Sequence, residues 1–85
     1  MHEVPIEDSI DLHTFQPRDI ALVVEEYLYQ AVAKGFREVR IIHGRGIGVQ
    51  REIVRSLLAK HPNVRSFHDA PDRGSTTVFL VAEEG

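Results

Sequence analysis

The segment IIHGRGIGVQRE, from Ile41 to Glu52, runs from buried-type residues through a glycine-rich turn into a helical pattern. Its three glycines stand at alternate positions, Gly44, Gly46 and Gly48. Glycine costs backbone entropy, so this spacing indicates an unusual backbone conformation or the close approach of a group that a side chain would block. The segment therefore predicts a buried strand that passes through a glycine loop into a helix.

The rest of the chain extends this unit into a complete α/β pattern. The predicted elements are a strand at 9–13, a helix from Pro17 that stops at Gly35, a strand at 38–43, a helix at 49–60, and two strands at 64–67 and 76–81 joined by a hairpin connection at 70–74. Apolar stripes on the helices predict their core faces: Ile20, Val24, Tyr27, Leu28 and Ala31 on the first, and Ile53, Val54, Leu57 and Leu58 on the second. The order β-α-β-α-β-β predicts a two-layer α/β sandwich with a mixed sheet.

Composition limits the classes of protein to which this chain can belong. A length of 85 residues with 42% hydrophobic and 27% charged residues fits one compact domain, with no cysteine to cross-link it. We expect a tail at 1–8, a domain at 9–82 and a short tail at 83–85. No apolar run approaches the roughly 18 residues of a membrane span. We therefore expect a soluble, cytoplasmic protein without a membrane partner, and we favour a monomer.

The charges are segregated along the chain, although the formal net charge is only -3. Between Lys34 and Arg65 there are eight basic residues and two acidic ones, Glu38 and Glu52. Such a stretch indicates either the solvated faces of helices and strand ends or a surface that attracts phosphate groups.

The glycine loop favours the second interpretation. A helix that begins after such a loop presents backbone N–H groups and the positive end of its dipole, and both favour an anion such as phosphate. Arg45 in the loop and Arg51 in the helix could add charge-assisted contacts. A tight turn without a ligand is the alternative. The G-x-G-x-G spacing does not match a dinucleotide fingerprint, and no lysine followed by serine or threonine completes a P-loop.

Polar residues stand at the ends of the first two predicted strands. Asp11 and His13 lie at the end of the first strand, and His43 lies at the end of the second. Parallel strands joined by a crossover helix end at the same edge of a sheet, which is where α/β sheets bind ligands. The three side chains are therefore expected at one rim, although a carboxylate and a histidine at a strand end can also simply brace a turn. His68 and Asp69, near the end of the third strand, could reach this rim or simply face water, and we favour water.

Two motifs at this separation resemble those of the small MutS-related (Smr) domain family. IDLH at 10–13 is similar to the family's L-D-L-H-G, and IIHGRG at 41–46 is similar to its H-G-x-G. HPNVRSF at 61–67 and the closing glycine and threonine, Gly74 and Thr76, add to the resemblance, which extends from Ile10 to about Leu80. It implies a fold similar to the C-terminal domain of translation initiation factor three.

The resemblance also implies a nucleic-acid partner, DNA or RNA, and an endonuclease that nicks or cleaves phosphodiesters. On the matching positions it implies catalytic roles for Asp11, His13 and His43. Asp11 would orient an imidazole or bind one divalent cation. His13 would act as the general base or acid, and His43 as the second acid or base or as a phosphate contact. The residues expected to contact phosphate are Gly44, Arg45, Gly46, Gly48, Arg51 and Thr76.

The sequence also allows one bound metal ion and leaves two alternative functions open. Asp11 is the one candidate metal ligand, so we expect at most one Mg²⁺ or Mn²⁺ and not a two-metal site, which needs several carboxylates. A binding module without catalysis is the first alternative, favoured by Thr14, where the family usually has glycine. A protein-interaction domain that keeps the fold without either activity is the second, and the chain's overall acidity and short length leave it open.

Overall fold

The structure, a computed structural model, describes residues 7–44, 48–72 and 74–81. Within these ranges lie β1 (Ser9–Asp11), α1 (Pro17–Ala33), β2 (Glu38–Ile42), α2 (Val49–Lys60), β3 (Val64–Asp69) and β4 (Ser75–Leu80). The predicted element order is confirmed. The strand ends differ from the prediction, because β1 ends before His13 and β3 continues to Asp69. Most of the predicted tails at 1–8 and 83–85 lies outside the described residues.

The four strands form one mixed sheet in the order β1-β2-β4-β3. β1 and β2 are parallel neighbours, with Asp11 beside Ile42, while β4 runs antiparallel to both β2 and β3. The predicted hairpin between β3 and β4 is therefore confirmed. Since α1 connects two adjacent parallel strands, the carboxyl ends of β1 and β2 meet at one edge.

Helix α1 begins and ends where the sequence indicates. Pro17 occupies the start of the helix, where its missing N–H costs nothing, and Asp19 places a negative charge in the first turn. The predicted stripe from Ile20 to Ala31 is buried. Gly35, with φ of 86°, takes the left-handed conformation that ends many helices.

Both helices cover the same face of the sheet, and their apolar stripes form the core with its inward-facing side chains. The buried hydrophobic residues are Leu12, Ile20, Val24, Tyr27, Leu28, Ala31, Val32, Val39, Ile41, Val54, Leu58, Val78 and Leu80. On α2, only Val54 and Leu58 are fully buried, whereas Ile53 and Leu57 pack at the edge of the core. Within the described part of the chain, no helix is long and apolar enough to cross a membrane.

Helix α2 is bounded by a left-handed glycine at its start and an extended residue at its end. Gly48 precedes its first residue with φ of 82°, and the Glu52 N–H donates to the Gly48 carbonyl at 3.0 Å. His61 ends the helix in an extended conformation, as expected for a residue before proline. The His61 ring is buried, and its Nδ1 accepts a hydrogen bond from the Asn63 backbone N–H at 3.1 Å.

Candidate active site

Asp11 and His13 contact each other at the carboxyl end of β1. The Asp11 Oδ1 atom accepts a hydrogen bond from the His13 backbone N–H at 3.0 Å and lies 2.7 Å from the His13 Nδ1. Asp11 is the last residue of β1 and His13 lies in the turn that follows, so one carboxylate oxygen bridges the backbone and the ring of the same residue.

This contact fixes the hydrogen-bonding role of each histidine nitrogen. The ionised carboxylate only accepts, so the His13 Nδ1 carries the hydrogen and its Nε2 is free to accept a proton. The hydrogen bonds from the His13 backbone and ring hold the pKa of the Asp11 carboxyl below its usual value. The His13 side chain is 72% exposed, so an imidazole oriented by Asp11 faces solvent.

His43 has the opposite environment. It is 5% exposed, and both ring nitrogens have partners: Nδ1 lies 3.0 Å from the Gly44 carbonyl oxygen, and Nε2 lies 2.9 Å from the Thr76 hydroxyl. The sequence predicts that His43 lies at the same rim as Asp11, and the parallel pairing of β1 with β2 confirms this placement. However, the ring is held inside the fold and does not point into solvent.

His43 and the Asp11 and His13 pair lie on opposite faces of the sheet. Along β1, Leu12 is buried under the helices while Asp11 is exposed, and along β2 Ile41 is buried in the same core. Because side chains alternate along a strand, His43 falls on the helix-covered face with Ile41, and Asp11 falls on the open face. The rim is shared, but the structure separates the Asp11 and His13 pair from His43.

Thr76 and Arg51, two of the residues predicted to contact phosphate, belong to the cluster around His43. Thr76 is fully buried, and its hydroxyl lies 3.3 Å from the Asp69 Oδ1 as well as beside His43. The Arg51 guanidinium donates to the Asp69 Oδ2, and Arg55 donates to the Asp69 Oδ1 at 3.1 Å. Contact of Thr76 with a phosphate would require this part of the rim to open, and Arg51 would have to share or exchange its carboxylate partner.

Asp69 is the residue of this cluster that the sequence interpretation missed. The favoured prediction, that Asp69 faces water together with His68, is wrong for Asp69, which takes the alternative place at the rim, although His68 is exposed. β3 extends two residues further than predicted, so the alternation that turns Phe67 toward the core also turns Asp69 inward, opposite Thr76. The hydrogen bond from Arg51 is the main cause that lowers the pKa of the Asp69 carboxyl.

The glycine segment lies between the described ends of β2 and α2. Gly44 and Gly48 have φ of 84° and 82°, and no described atom lies within 4 Å of the position that a Cβ would take at either. Their glycine character therefore serves the left-handed backbone, and the described residues leave the space beside them open. Arg45 and Gly46, both predicted to contact phosphate, lie outside the described residues.

Backbone contacts join the loops at the rim into one unit. The Leu12 N–H donates to the Ile42 carbonyl at 2.8 Å, which ties β1 to β2 beside the Asp11 turn. The Gly74 carbonyl accepts from the N–H groups of both His43 and Gly44, at 3.1 and 2.9 Å. The rim is thus braced from both sides by the strands next to β2.

The first turn of α2 is tied to the turn after β1. Phe15, at 36% exposure, donates its backbone N–H to the Leu12 carbonyl at 3.0 Å, and its own carbonyl accepts from the Gln50 side chain at 3.4 Å. The predicted phosphate-facing helix and the Asp11 turn are therefore adjacent.

Asp11 was the one predicted metal ligand. In the parts of the chain that the structure describes, no group of three or more histidine, aspartate or glutamate side chains could hold a metal ion. Its Oδ1 already accepts hydrogen bonds from His13, which leaves Oδ2 for a cation. Mg²⁺ commonly keeps several waters and binds one or two protein carboxylates together with substrate phosphates. The residues at the rim fit a cation of that kind.

Comparison with known proteins places this chain among MutS2-related sequences. A sequence model of the Smr domain matches residues 10–82. The chain is 40% identical over 82 residues to endonuclease MutS2 of Caldicellulosiruptor bescii, and 32% identical over 77 residues to endonuclease MutS2 of Clostridium tetani. The matches cover 92% and 89% of this chain but only 10% of each relative.

Two solved structures have the same fold. The crystal structure of the Smr domain of Thermus thermophilus MutS2 superposes with a TM-score of 0.83 at 33% identity, covering 88% of this chain and 99% of that one. YdaL, a stand-alone small MutS-related protein from Escherichia coli, gives a TM-score of 0.81 at 27% identity, covering 89% of this chain and 66% of that one. The fold, the order of the motifs and the sequence matches agree, and the chain belongs to the Smr domain family.

Proposed function

We propose that this Smr domain binds nucleic acid and cleaves phosphodiester bonds, nicking DNA or cutting RNA, at the rim formed by the ends of β1 and β2. One observation carries the proposal: Asp11 orients the His13 ring so that its free nitrogen faces solvent, beside the turn that contacts the start of α2. The endonuclease names of the MutS2 relatives support the same reaction class. We also expect a cytoplasmic location.

In the proposed reaction, His13 acts as the base. Its Nε2 takes a proton from the attacking oxygen, which is water in hydrolysis or the 2′-hydroxyl in RNA transesterification. The attacking oxygen bonds to phosphorus, the bond to the leaving oxygen breaks, and that oxygen is protonated by solvent or by the imidazolium that has formed. Asp11 accepts the Nδ1–H hydrogen bond and so keeps the ring oriented while the proton moves.

The phosphate is proposed to lie against the start of α2. Gly44 and Gly48 leave open space there, and the helix dipole favours an anion. Arg45 and Gly46 remain candidate contacts, and Arg51 is a candidate if it turns from Asp69 to the phosphate. One Mg²⁺ or Mn²⁺, held by Asp11 together with phosphate oxygens and water, would neutralise charge on the phosphate.

The experiment is a cleavage panel on the whole chain. Labelled single-stranded, duplex and branched DNA and structured RNA are incubated with Mg²⁺, Mn²⁺ or a chelator, comparing wild type with Asp11→Asn, His13→Ala and the double variant. His68→Ala is the matched control, because His68 is also an exposed histidine but stands on β3. Loss of cleavage in the three site variants with retention in His68→Ala is the expected result. Equal cleavage in all proteins would reveal a contaminant and refute the assignment.

A binding module without catalysis is the second candidate, and the burial of His43 favours it. Both ring nitrogens of His43 have partners inside the fold. Of the two histidines predicted at this rim, His13 therefore faces solvent and His43 does not. This candidate predicts binding without cleavage under every metal condition. Its affinity should fall steeply with salt, because bound phosphates release counterions. Cleavage lost in His13→Ala and retained in His68→Ala would exclude it.

A further inference from the structure

His43, Thr76 and Asp69 form a continuous hydrogen-bonded chain from β2 through β4 to β3. The His43 Nε2 lies 2.9 Å from the Thr76 hydroxyl, which lies 3.3 Å from the Asp69 Oδ1. The three residues come from three adjacent strands, and Thr76 stands opposite Asp69 in the sheet register. Since Thr76 is fully buried, its hydroxyl has protein partners and no access to bulk water.

The direction of each hydrogen bond in this chain follows from its neighbours. The Gly44 carbonyl can only accept, so the His43 Nδ1 carries a hydrogen. The Thr76 hydroxyl has one hydrogen. When it donates that hydrogen to the Asp69 carboxylate, its oxygen accepts from the His43 Nε2–H and the chain is continuous. When Nε2 carries no hydrogen, the hydroxyl donates to Nε2 and the bond to Asp69 is lost. Asp69 is thus the acceptor that turns the Thr76 oxygen toward the Nε2–H of His43.

The Asp69 carboxylate is itself held in place by helix α2. Arg51 binds the Oδ2 atom through two nitrogens, and Arg55 binds Oδ1, the oxygen that also faces Thr76. These ion pairs keep the carboxylate ionised and prevent it from rotating. The helix that begins after the glycine loop is thereby tied to the ring of the histidine that precedes the loop.

We propose that Asp69 is a positioning residue, which acts through Thr76 to hold the His43 ring and, through Arg51 and Arg55, keeps that ring in register with the start of α2. The role of the held ring rests on the proposed function, since it keeps the end of β2 and the start of α2 in the geometry that receives a phosphate. An ion pair that merely joins α2 to β3 would not require the contact with Thr76.

The first test measures hydrogen exchange at the His43 ring and does not depend on cleavage activity. The histidines are labelled with ¹⁵N, the His43 signal is identified by its loss in His43→Gln, and exchange of its Nε2–H, the hydrogen that faces Thr76, with water is measured. We expect exchange to accelerate roughly two- to tenfold in Thr76→Val and in Asp69→Asn, the factor that one lost hydrogen bond provides. Thr76→Ser keeps the hydroxyl and should exchange like wild type.

The second test measures kinetics on the best substrate of the cleavage panel. Thr76→Val should lower kcat by up to about 100-fold, as expected for a displaced catalytic geometry, with KM unchanged. Thr76→Ser should restore it. The Thr76→Val, Asp69→Asn double variant should be no worse than the poorer single variant, because both changes break one chain.

The outcomes separate this proposal from the proposed function. Unchanged ring exchange in Thr76→Val or in a folded Asp69→Asn protein would overturn the positioning role, whatever cleavage shows. If Asp69→Asn does not fold, the valine and serine variants of Thr76 still decide the matter, because unchanged exchange in Thr76→Val alone is sufficient to reject it. Altered exchange without cleavage by any protein, wild type included, would support the chain and refute catalysis.

Discussion

The Asp11 carboxylate holds both the backbone N–H and the ring of His13 through a single oxygen, at 3.0 and 2.7 Å. A side chain at the end of a strand thus orients the exposed residue two positions later. The pair links the local turn geometry to the proposed chemistry, because the contact decides which ring nitrogen can accept a proton.

This contact predicts how the Asp11 carboxyl titrates. Its pKa should lie below the usual value of about 3.9 for aspartate, because the backbone N–H and the ring of His13 both favour the carboxylate. In His13→Ala the pKa should rise only part of the way, since the backbone N–H, the larger cause, remains. Carboxyl ¹³C chemical shifts followed against pH measure it. A value in His13→Ala equal to that of wild type would show that the ring contributes nothing.

The left-handed glycines predict a separation of stability from binding. Gly35, Gly44 and Gly48 have φ near 85° and open space where a side chain would begin, so alanine at each should cost about 1 kcal/mol of unfolding free energy from backbone strain alone. Denaturant unfolding measures this cost.

Gly35 serves as the matched control for nucleic-acid binding, because it follows α1 and not β2. Gly44→Ala and Gly48→Ala should weaken binding of a labelled oligonucleotide, while Gly35→Ala should leave it unchanged. Equal binding by all three variants would remove the glycine segment from the interface.

The ion pairs of Asp69 predict a pH-dependent stability. Because the pKa of Asp69 is lowered in the folded protein, its contribution is present above about pH 4, the usual range of the unfolded carboxyl, and disappears as the pH falls through the lower folded value. Asp69→Asn should therefore be about 1 kcal/mol less stable than wild type at neutral pH. The two proteins should converge in strong acid. A difference that persists in acid would indicate a packing effect unrelated to charge.

Tyr27 predicts the behaviour of the fold in alkali. Its hydroxyl donates to the Glu7 carbonyl at 2.6 Å, and burial raises its pKa to about 12, above the usual value of about 10. The unfolded state therefore loses the proton first, and stability should decline as the pH rises from about 10 to 12. Tyr27→Phe should lack this decline, whereas Tyr29→Phe, at a half-exposed position, should keep it. Denaturant unfolding against pH distinguishes them.

The elements and the core faces could be predicted because they depend on local patterns. Pro17, Gly35 and Gly48 mark where helices begin and end, and the stripe from Ile20 to Ala31 is buried as its spacing indicates. The convergence of β1 and β2 at one rim also followed, since a crossover helix between parallel strands leaves few arrangements. These results need only the hydrophobic period and the turn chemistry.

The sequence by itself determined the fold and the family, which depend on local patterns and motifs. It also determined the place of the Asp11 and His13 pair, because these two residues are near neighbours in the chain. Only the tertiary structure decided the state of His43, whose partner Thr76 is 33 residues away. The same holds for Asp69, which was expected to face water. Because β3 continues to Asp69 and two arginines of α2 contact its carboxylate, it lies at the centre of a partly buried cluster. Strand register and helix packing set those contacts, and both depend on residues distant in sequence that local patterns do not relate.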